Sequence, residues 1–347
     1  MEMKKVTLTE VSKRANCSLS TVSRVLSGSS YPVKEEIRTK ILCVAKELGY
    51  IPPSLRKPKR KQTTKDIGVL IPTIANQFYS QLLIGIENSC SEYEYTPIIC
   101  SSRRSSEKEL ENLKLLCKKA VSGIILSSIS ENQAFLSNIV KQDIPIVVFD
   151  QSLKELEVSY VKFDYFEAGR LAVEYLFLKG HRRIAFASPP INRSVRQEAL
   201  NGYLYALKEF MIPIRREYLL VSEVENEQDF GMYDFENGKY LARKILQLDE
   251  PATAVFTLND MTAFGLIDEL RRQNLRVPED ISVIGFDNLE MSALFNPPLT
   301  TINQPAYETG RLTAKILIDK ITGKSNDNVT IKLRPSIQER CSVKELY

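Results

Sequence analysis

Residues 8–27 read LTEVSKRANCSLSTVSRVLS, and their spacing admits little besides two short helices crossing at a tight turn. Leu8, Val11 and Ala15 fall at i, i+3 and i+7, which gives a first helix one apolar face and leaves Lys13 and Arg14 on its polar side. Asn16 tolerates the left-handed backbone that a sharp turn requires. Ser18 is suited to cap a second helix, whose Val22, Val25 and Leu26 form a buried stripe while Leu19, Ser20, Ser23 and Arg24 point outward. A third apolar pattern, Ile37, Ile41, Ala45 and Leu48 within 34–48, closes a core of about fifty residues. This is the outline of a helix-turn-helix that enters a DNA major groove. The alternative is a small helical packing module with no role on DNA.

Charge favours the first reading. Residues 1–65 hold fifteen Lys and Arg against five acidic residues, a formal charge of +10. The remaining 282 residues hold 32 basic and 38 acidic side chains, so a net charge of +4 conceals a basic head on an acidic body. Such polarity draws the head onto phosphates and holds the body off the polyanion.

From residue 65 onward, apolar β-type runs alternate with amphipathic helical stretches: DIGVLIP, TPIIC, VSGIILSS, IPIVVFD, RRIAFAS, TAVFTLND and ISVIGFD. That alternation predicts parallel sheet covered by helices on both faces. About 280 residues exceed one such sheet comfortably, so two similar lobes are expected. Ligands of open parallel sheets sit beyond the carboxyl ends of the strands. Those ends are polar here, with Asn76 near Phe78, Ser127 with Ser128, Asp150 with Gln151, Asn259 with Asp260, and Asp287 with Asn288. Amides and carboxylates beside an aromatic ring suit a polyhydroxylated ligand, whose hydroxyls both donate and accept. Asn259 and Asp260 equally suit a cap on the helix that follows them.

Several segments in fixed order resemble the lactose repressor family of bacterial transcription regulators. They are VTLTEVSKRANCSLSTVSRVLSG, KILCVAKELGYIP, IGVLIPTIANQFYSQLLIGIE, GHRRIAFAS, FTLNDMTAFGLIDELRR and VPEDISVIGFDNLEMSALFNPPLTTINQPAYETGR, spanning nearly the whole chain. The resemblance implies an N-terminal all-α helix-turn-helix domain at 1–51, a basic hinge at 52–66 and a two-lobed, periplasmic-binding-protein-like α/β domain with parallel sheets at 67–347. The N-lobe would take about 67–164 and 304–331, and the C-lobe about 165–303 and 332–347. It further implies a homodimeric, cytoplasmic repressor of carbohydrate genes whose affinity for double-stranded operator DNA is set by a small molecule, a sugar first among the candidates. By the same resemblance Asn76, Phe78, Asn259, Asp260, Asp287 and Gln304 contact that ligand, with Ser127 and Asp150 added from the strand ends. The dimer contact is expected along the segments 78–90 and 107–118, which flank the N-lobe. The chain stops at RCSVKELY without a leucine-heptad tail, so dimer is the expected limit.

Two departures from the family pattern stand out. Members carry an arginine three residues before the glycine of an RxxGY segment; here Ala199 holds that place before Gly202, and Arg196 is the nearest substitute, followed by Arg193. The linker YIPPSLRKPKRKQTTKD differs as well. Pro58 stands where the family's short hinge helix has a serine, and Lys59 where it has the leucine that wedges into the minor groove. Either Leu55 takes over the wedge, or Arg56, Lys57, Lys59, Arg60 and Lys61 form a flexible basic arm with weaker operator bending and a steeper salt dependence. On the reading helix, Leu19, Ser20 and Arg24 match the family's base readers, while Thr21 and Ser23 suit phosphate. Arg24 suits either a guanine edge or a phosphate clamp.

Nothing in the sequence points to catalysis or a bound cofactor. The one histidine, His181, sits in GHRRI between a helix end and a strand, a structural place rather than a base. No nucleophile elbow, P-loop or dinucleotide fingerprint occurs. The cysteines at 17, 43, 90, 100, 117 and 341 lack metal-type spacing, and buried free thiols are expected of most of them. There is no signal peptide or membrane-length apolar run. A sugar-binding component of a transport system is the alternative function; it would share the larger domain but would be secreted and lack the basic helices. A phosphorylated effector would draw on Arg103, Arg104, Arg193 and Arg196.

Overall fold

A computed structural model describes residues 7–26, 33–48, 64–129, 134–141, 144–151, 153, 156–223 and 233–346. The chain divides into two compact units, Met1–Gln62 and Thr63–Tyr347. The expectations for Leu55, Arg56, Lys57, Pro58, Lys59, Arg60 and Lys61 lie outside the described residues.

In the first unit, α1 (Leu8–Ala15), α2 (Leu19–Leu26) and α3 (Glu35–Glu47) enclose Val11, Ala15, Val22, Val25, Leu26, Ile41 and Ala45. Thr7 and Glu10 close a capping box on α1, and Asn16 ends it with φ 53°, the left-handed turn that its side chain tolerates. Ser18 Oγ accepts the Thr21 amide at 3.2 Å, capping α2.

The second unit contains, among the described residues, two sheets of six strands each. The first sheet is ordered β11-β5-β4-β3-β1-β2, from β1 (Asp66–Ile71), β2 (Thr96–Ser101), β3 (Gly123–Leu126), β4 (Ile146–Phe149), β5 (Ser159–Phe163) and β11 (Thr330–Leu333), all parallel. Around it lie α4 (Gln77–Glu92), α5 (Ser106–Lys118), α6 (Ala134–Lys141) and α12 (Ala306–Ile321). The second sheet is ordered β12-β10-β9-β8-β6-β7, from β6 (Ile184–Ser188), β7 (Leu219–Val221), β8 (Ala254–Thr257), β9 (Ser282–Asp287), β10 (Thr300–Asn303) and β12 (Ser336–Gln338). Its helices are α7 (Tyr165–Leu178), α8 (Ser194–Glu209), α9 (Tyr233–Ile245), α10 (Asp260–Arg272) and the short α11 (Glu290–Leu294). Only β12 runs antiparallel, against β10. Strands such as β3, β4 and β8 are buried at every position because helices cover both faces.

Both sheets repeat one order, with the first strand lying between the second and the third, so each lobe has its switch point at that first strand. The chain crosses from β5 into α7, returns from β10 into α12, and crosses again between Leu333 and Ser336. The last crossing lies slightly later than the division after 331 expected from the sequence, because β11 completes the first sheet before β12 joins the second.

Three helix pairs pack at backbone contact. In α7 and α8, a Cβ on Gly169 would lie 2.1 Å from the Ala199 carbonyl, and one on Gly202 would lie 1.9 Å from that of Phe166. Gly85 and Gly310 join α4 to α12 in the same way, and Gly238 and Gly265 join α9 to α10. Helix ends flanking the cleft are thereby held close to the strand ends they follow. Among the described residues no helix is long and apolar enough to cross a membrane.

Candidate functional site

The second helix of the N-terminal unit displays the surface that its sequence implies. Val22, Val25 and Leu26 are buried, while Leu19 is 48 % exposed and Ser20, Ser23 and Arg24 are exposed beside it. Thr21 is half-buried, with its hydroxyl 2.8 Å from that of Ser18, so the cap occupies the hydroxyl expected to bind phosphate. An apolar tip, two small hydroxyls and one guanidinium on a rigid helix are groups that base edges and thymine methyls can meet.

In the larger unit the carboxyl ends of both sheets converge on one cavity of about 90 Å³. After β1 come Thr73, Asn76, Phe78 and Tyr79; after β2, Arg104; after β4, Asp150. The opposite wall is Arg193, Arg196 and Ala199 around the start of α8, Asp234 on α9, Leu258 and Asn259 after β8, and Phe286 and Asp287 ending β9. Tyr165 and Gln304 line it where two crossovers pass.

Three of these residues hold left-handed backbone without being glycine: Arg104 at φ 56°, Asp150 at 70° and Asp287 at 124°. Strain of this kind persists only where the surrounding fold over-determines it, and here it aims charged side chains into the cleft. Asn76 Oδ1 accepts the Phe78 amide at 2.9 Å and Asn259 Oδ1 accepts the Thr262 amide at 2.6 Å. Each asparagine therefore caps a helix and lines the cavity, since capping uses the oxygen and leaves the amide nitrogen to donate.

Charge in the cavity is balanced in number, with Arg104, Arg193 and Arg196 facing Asp150, Asp234 and Asp287. It is uneven in place. Burial raises the Asp150 carboxyl above its usual range, against the Tyr165 hydroxyl and the charges of Arg193 and Arg196, which lower it. Asp287 is raised much further, first by burial and then by the neighbouring charges of Asp260, Asp234 and Asp150. Its Oδ2 is buried without a hydrogen-bond partner. A buried acceptor of this kind calls for a donor from a bound molecule.

A model described as bacterial regulatory proteins, lacI family, matches residues 7–53, and one described as a periplasmic binding protein-like domain matches residues 173–343. The HTH-type transcriptional repressor PurR of Vibrio cholerae serotype O1 is 31% identical over 341 residues, 98% of each chain. The chain belongs to the lacI family of bacterial regulatory proteins. Catabolite control protein A of Priestia megaterium is 32% identical over 340 residues, 98% of this chain and 99% of that one. Among solved structures, a transcriptional regulator CelR–cellobiose complex aligns with TM-score 0.72 and 27% identity over 97% of this chain and 100% of that one. A LacI family regulator from Enterococcus faecium with bound ribose aligns with TM-score 0.71 and 32% identity over 81% and 100%. As a lacI-family repressor, the protein joins a DNA-binding head to a ligand-binding domain.

Of the ligand contacts expected from the sequence, Asn76, Phe78, Asp150, Arg196, Asn259, Asp287 and Gln304 meet in the cavity. Arg196 lines the cavity one turn before Ala199, on the same face of α8, and Arg193 lines it as well; the Arg196 Nη1 donates to the Pro190 carbonyl at 2.8 Å. Two expected contacts lie elsewhere. Ser127 is buried behind the cavity, hydrogen-bonded to Tyr79. Asp260 is fully buried and spent on the fold: it accepts from Thr301 and Ser292 hydroxyls at 2.6 Å each and from the Leu289 amide at 2.9 Å. Burial still lifts its carboxyl to about 6. Gly285 leaves it room, since a Cβ there would lie 2.1 Å from Asp260 Oδ1.

The sequence reading missed Tyr79, Tyr165 and Asp234, and included Arg104 only as a phosphate ligand. His181 is fully buried, with Nε2 3.2 Å from the Lys344 carbonyl and Nδ1 3.0 Å from the Thr253 hydroxyl. The cysteines are unbridged, but of the six only Cys90 is buried; Cys43 and Cys341 are exposed, because both lie on outward faces of their segments.

Proposed function

We propose that this repressor binds a neutral sugar in the cleft and changes its operator affinity in response, controlling carbohydrate-metabolism genes in the cytoplasm. The observation that carries the sugar reading is the buried, unpartnered Oδ2 of Asp287, in a cavity also lined by the amides of Asn76, Asn259 and Gln304 and by the Phe78 ring. Hydroxyl groups satisfy both kinds of partner at once, and a sugar's CH face stacks on a ring. Arg104 is already paired with Asp234, which weighs against a phosphorylated effector; Arg103 is absent from the lining. The ribose and cellobiose held by the E. faecium regulator and CelR point the same way.

The working form is a homodimer, joined along α4 and α5, whose neighbourhood exposes the apolar side chains of Ile84, Leu115 and Ile99. Sugar binding shifts the population between two lobe arrangements and so alters how two heads meet two half-sites. Leu19, Ser20 and Arg24 read bases, and the basic linker adds phosphate contacts. The protein binds its effector without turning it over.

Selection of purified protein against a pool of random duplexes, with and without a sugar mixture, tests this. A two-fold symmetric site whose enrichment changes with one sugar is expected. Symmetric enrichment that responds to a nucleobase or a sugar phosphate, and to no neutral sugar, removes the sugar reading. Failure to enrich any site removes operator control and restores the transport alternative.

A further inference from the structure

β2 and β7 are the edge strands opposite β11 and β12, four strand spacings from β5 and β10, where two of the crossovers leave. At about 4.8 Å per spacing that is roughly 19 Å. Arg104 follows β2 and Asp234 follows β7, and their side chains join the lobes with Nη2 and Oδ2 2.9 Å apart. The pair therefore stands at the mouth of the cleft, on the side away from the crossovers. It is dry, with the two side chains 8 % and 9 % exposed. The guanidinium carbon also lies 5.4 Å from the centre of the Tyr233 ring. Arg103 and Arg104 are consecutive left-handed residues, and the Arg104 amide is tied to the Pro72 carbonyl at 2.9 Å, so the turn that presents the guanidinium is fixed to the end of β1.

The opposite end of the cavity is closed too. Tyr165 donates to Asp150, and Gln304 Nε2 donates to the Tyr165 hydroxyl at 2.8 Å. The cavity that both ties line holds about 90 Å³. At roughly 10–15 Å³ per water-sized group, that is space on the scale of one sugar ring and well short of two.

We propose that Arg104 and Asp234 form a clasp that limits the effector to a single sugar ring. This rests on the sugar reading of the same cavity. A second ring extending toward β2 and β7 would meet the clasp, and parting so dry a pair leaves a buried charge unpaired, a penalty that a monosaccharide escapes. Asp234 also keeps its Oδ1 buried without a partner, so its carboxylate holds Arg104 through one oxygen and offers the other to a ring hydroxyl.

The test is calorimetric titration of the full-length protein with D-ribose, D-xylose, D-glucose and D-galactose, and with cellobiose, maltose and lactose. At least one monosaccharide is expected to bind ten times more tightly than any disaccharide. In the double variant Arg104→Ala/Asp234→Ala, the monosaccharide weakens and the preference over disaccharides falls below threefold. Should that variant fail to show a native melting transition, Arg104→Gln/Asp234→Asn removes the charges while keeping the volume, and the same narrowing of preference is expected. Equal binding of mono- and disaccharides by the unaltered protein overturns the clasp and leaves the sugar reading intact. An undiminished tenfold preference in the folded variant also overturns the clasp alone. Binding of no saccharide in the panel overturns both.

Discussion

The hydroxyl of Tyr165, the first residue of α7, donates to the carboxylate of Asp150, which follows β4 in the other lobe. The bond spans the point where the chain first changes lobes, and one of its partners is a wall of the cavity. Whatever occupies the cavity thus touches a group that the crossover itself holds.

Tyr165→Phe keeps the ring stacked on Phe286, whose centroid is 5.6 Å away and whose plane is 2° off parallel, and deletes only the hydroxyl. Asp150 then loses a donor inside a buried site, and Gln304 loses its acceptor. The expected cost is about 1–3 kcal/mol of stability, read as a lower melting temperature, with a weaker effector affinity in titration. An unchanged effector affinity would confine Tyr165 to a purely structural role.

Asp287→Asn separates function from stability. A carboxyl whose folded pKa is raised binds its proton more tightly in the native state than in the unfolded chain, so its contribution is fully present below the ordinary carboxylate pKa and is lost as pH rises through the raised value. At pH 7 the unfolded carboxyl is ionised while the native site favours its proton, so the group opposes folding there. The amide variant is expected to melt at a higher temperature than the native protein at pH 7, to lose that advantage near pH 4, and to bind the effector at least tenfold more weakly. Melting curves at the two pH values and one titration check all three.

His181 carries the opposite sign. Burial lowers its pKa from 6.5 to about 4, the ring remaining neutral between Thr253 and Lys344. Between those values the unfolded chain takes up a proton that the native state refuses, so stability is lost as pH falls from 6.5 toward 4, by about 3 kcal/mol in all. In His181→Gln this part of the acid profile should be flat. Denaturant titrations of both proteins at half-unit pH steps measure the difference in slope.

Most of the fold is legible in the sequence because it is carried by short-range pattern. Val22, Val25 and Leu26 name the buried face of α2 by spacing alone, and runs such as IVVF in β4 are apolar throughout because helices cover both sides. Cavity residues at strand ends were legible for the same reason: a polar side chain directly after an apolar run has few places to go. The edge elements were not. β7, β11 and β12 have mixed patterns, as with the exposed-intermediate alternation of β11, since edges are only partly covered. The Arg104–Asp234 pair is 130 residues apart in the chain and belongs to no local pattern; only the matching strand orders of the two sheets bring its members together. Asp260 misled for a different reason. Its neighbour Asn259 faces the cavity, and one step further along the chain turns the next side chain inward beneath Gly285.

The reading helix offers one exposed guanidinium on its outer face, at Arg24 beside Leu19, Ser20 and Ser23. If Arg24 forks onto a guanine edge, Arg24→Ala loses roughly 1–3 kcal/mol of operator affinity, and the preference relaxes at one base pair in each half-site while other positions keep theirs. If it clamps a phosphate, affinity falls alike on every sequence and the salt dependence becomes shallower by about one counterion. Leu19→Ala supplies the internal comparison, because an apolar tip has no phosphate to lose and can act only on a base edge or a thymine methyl. Base reading is the expected outcome, since Arg24 stands one turn beyond Leu19 and Ser20 on the face left open by the buried stripe. Binding of single-substituted operators by both variants at two salt concentrations separates the cases: a position-specific loss for each variant supports base reading by the helix, and a uniform loss for Arg24→Ala alone assigns that residue to the backbone.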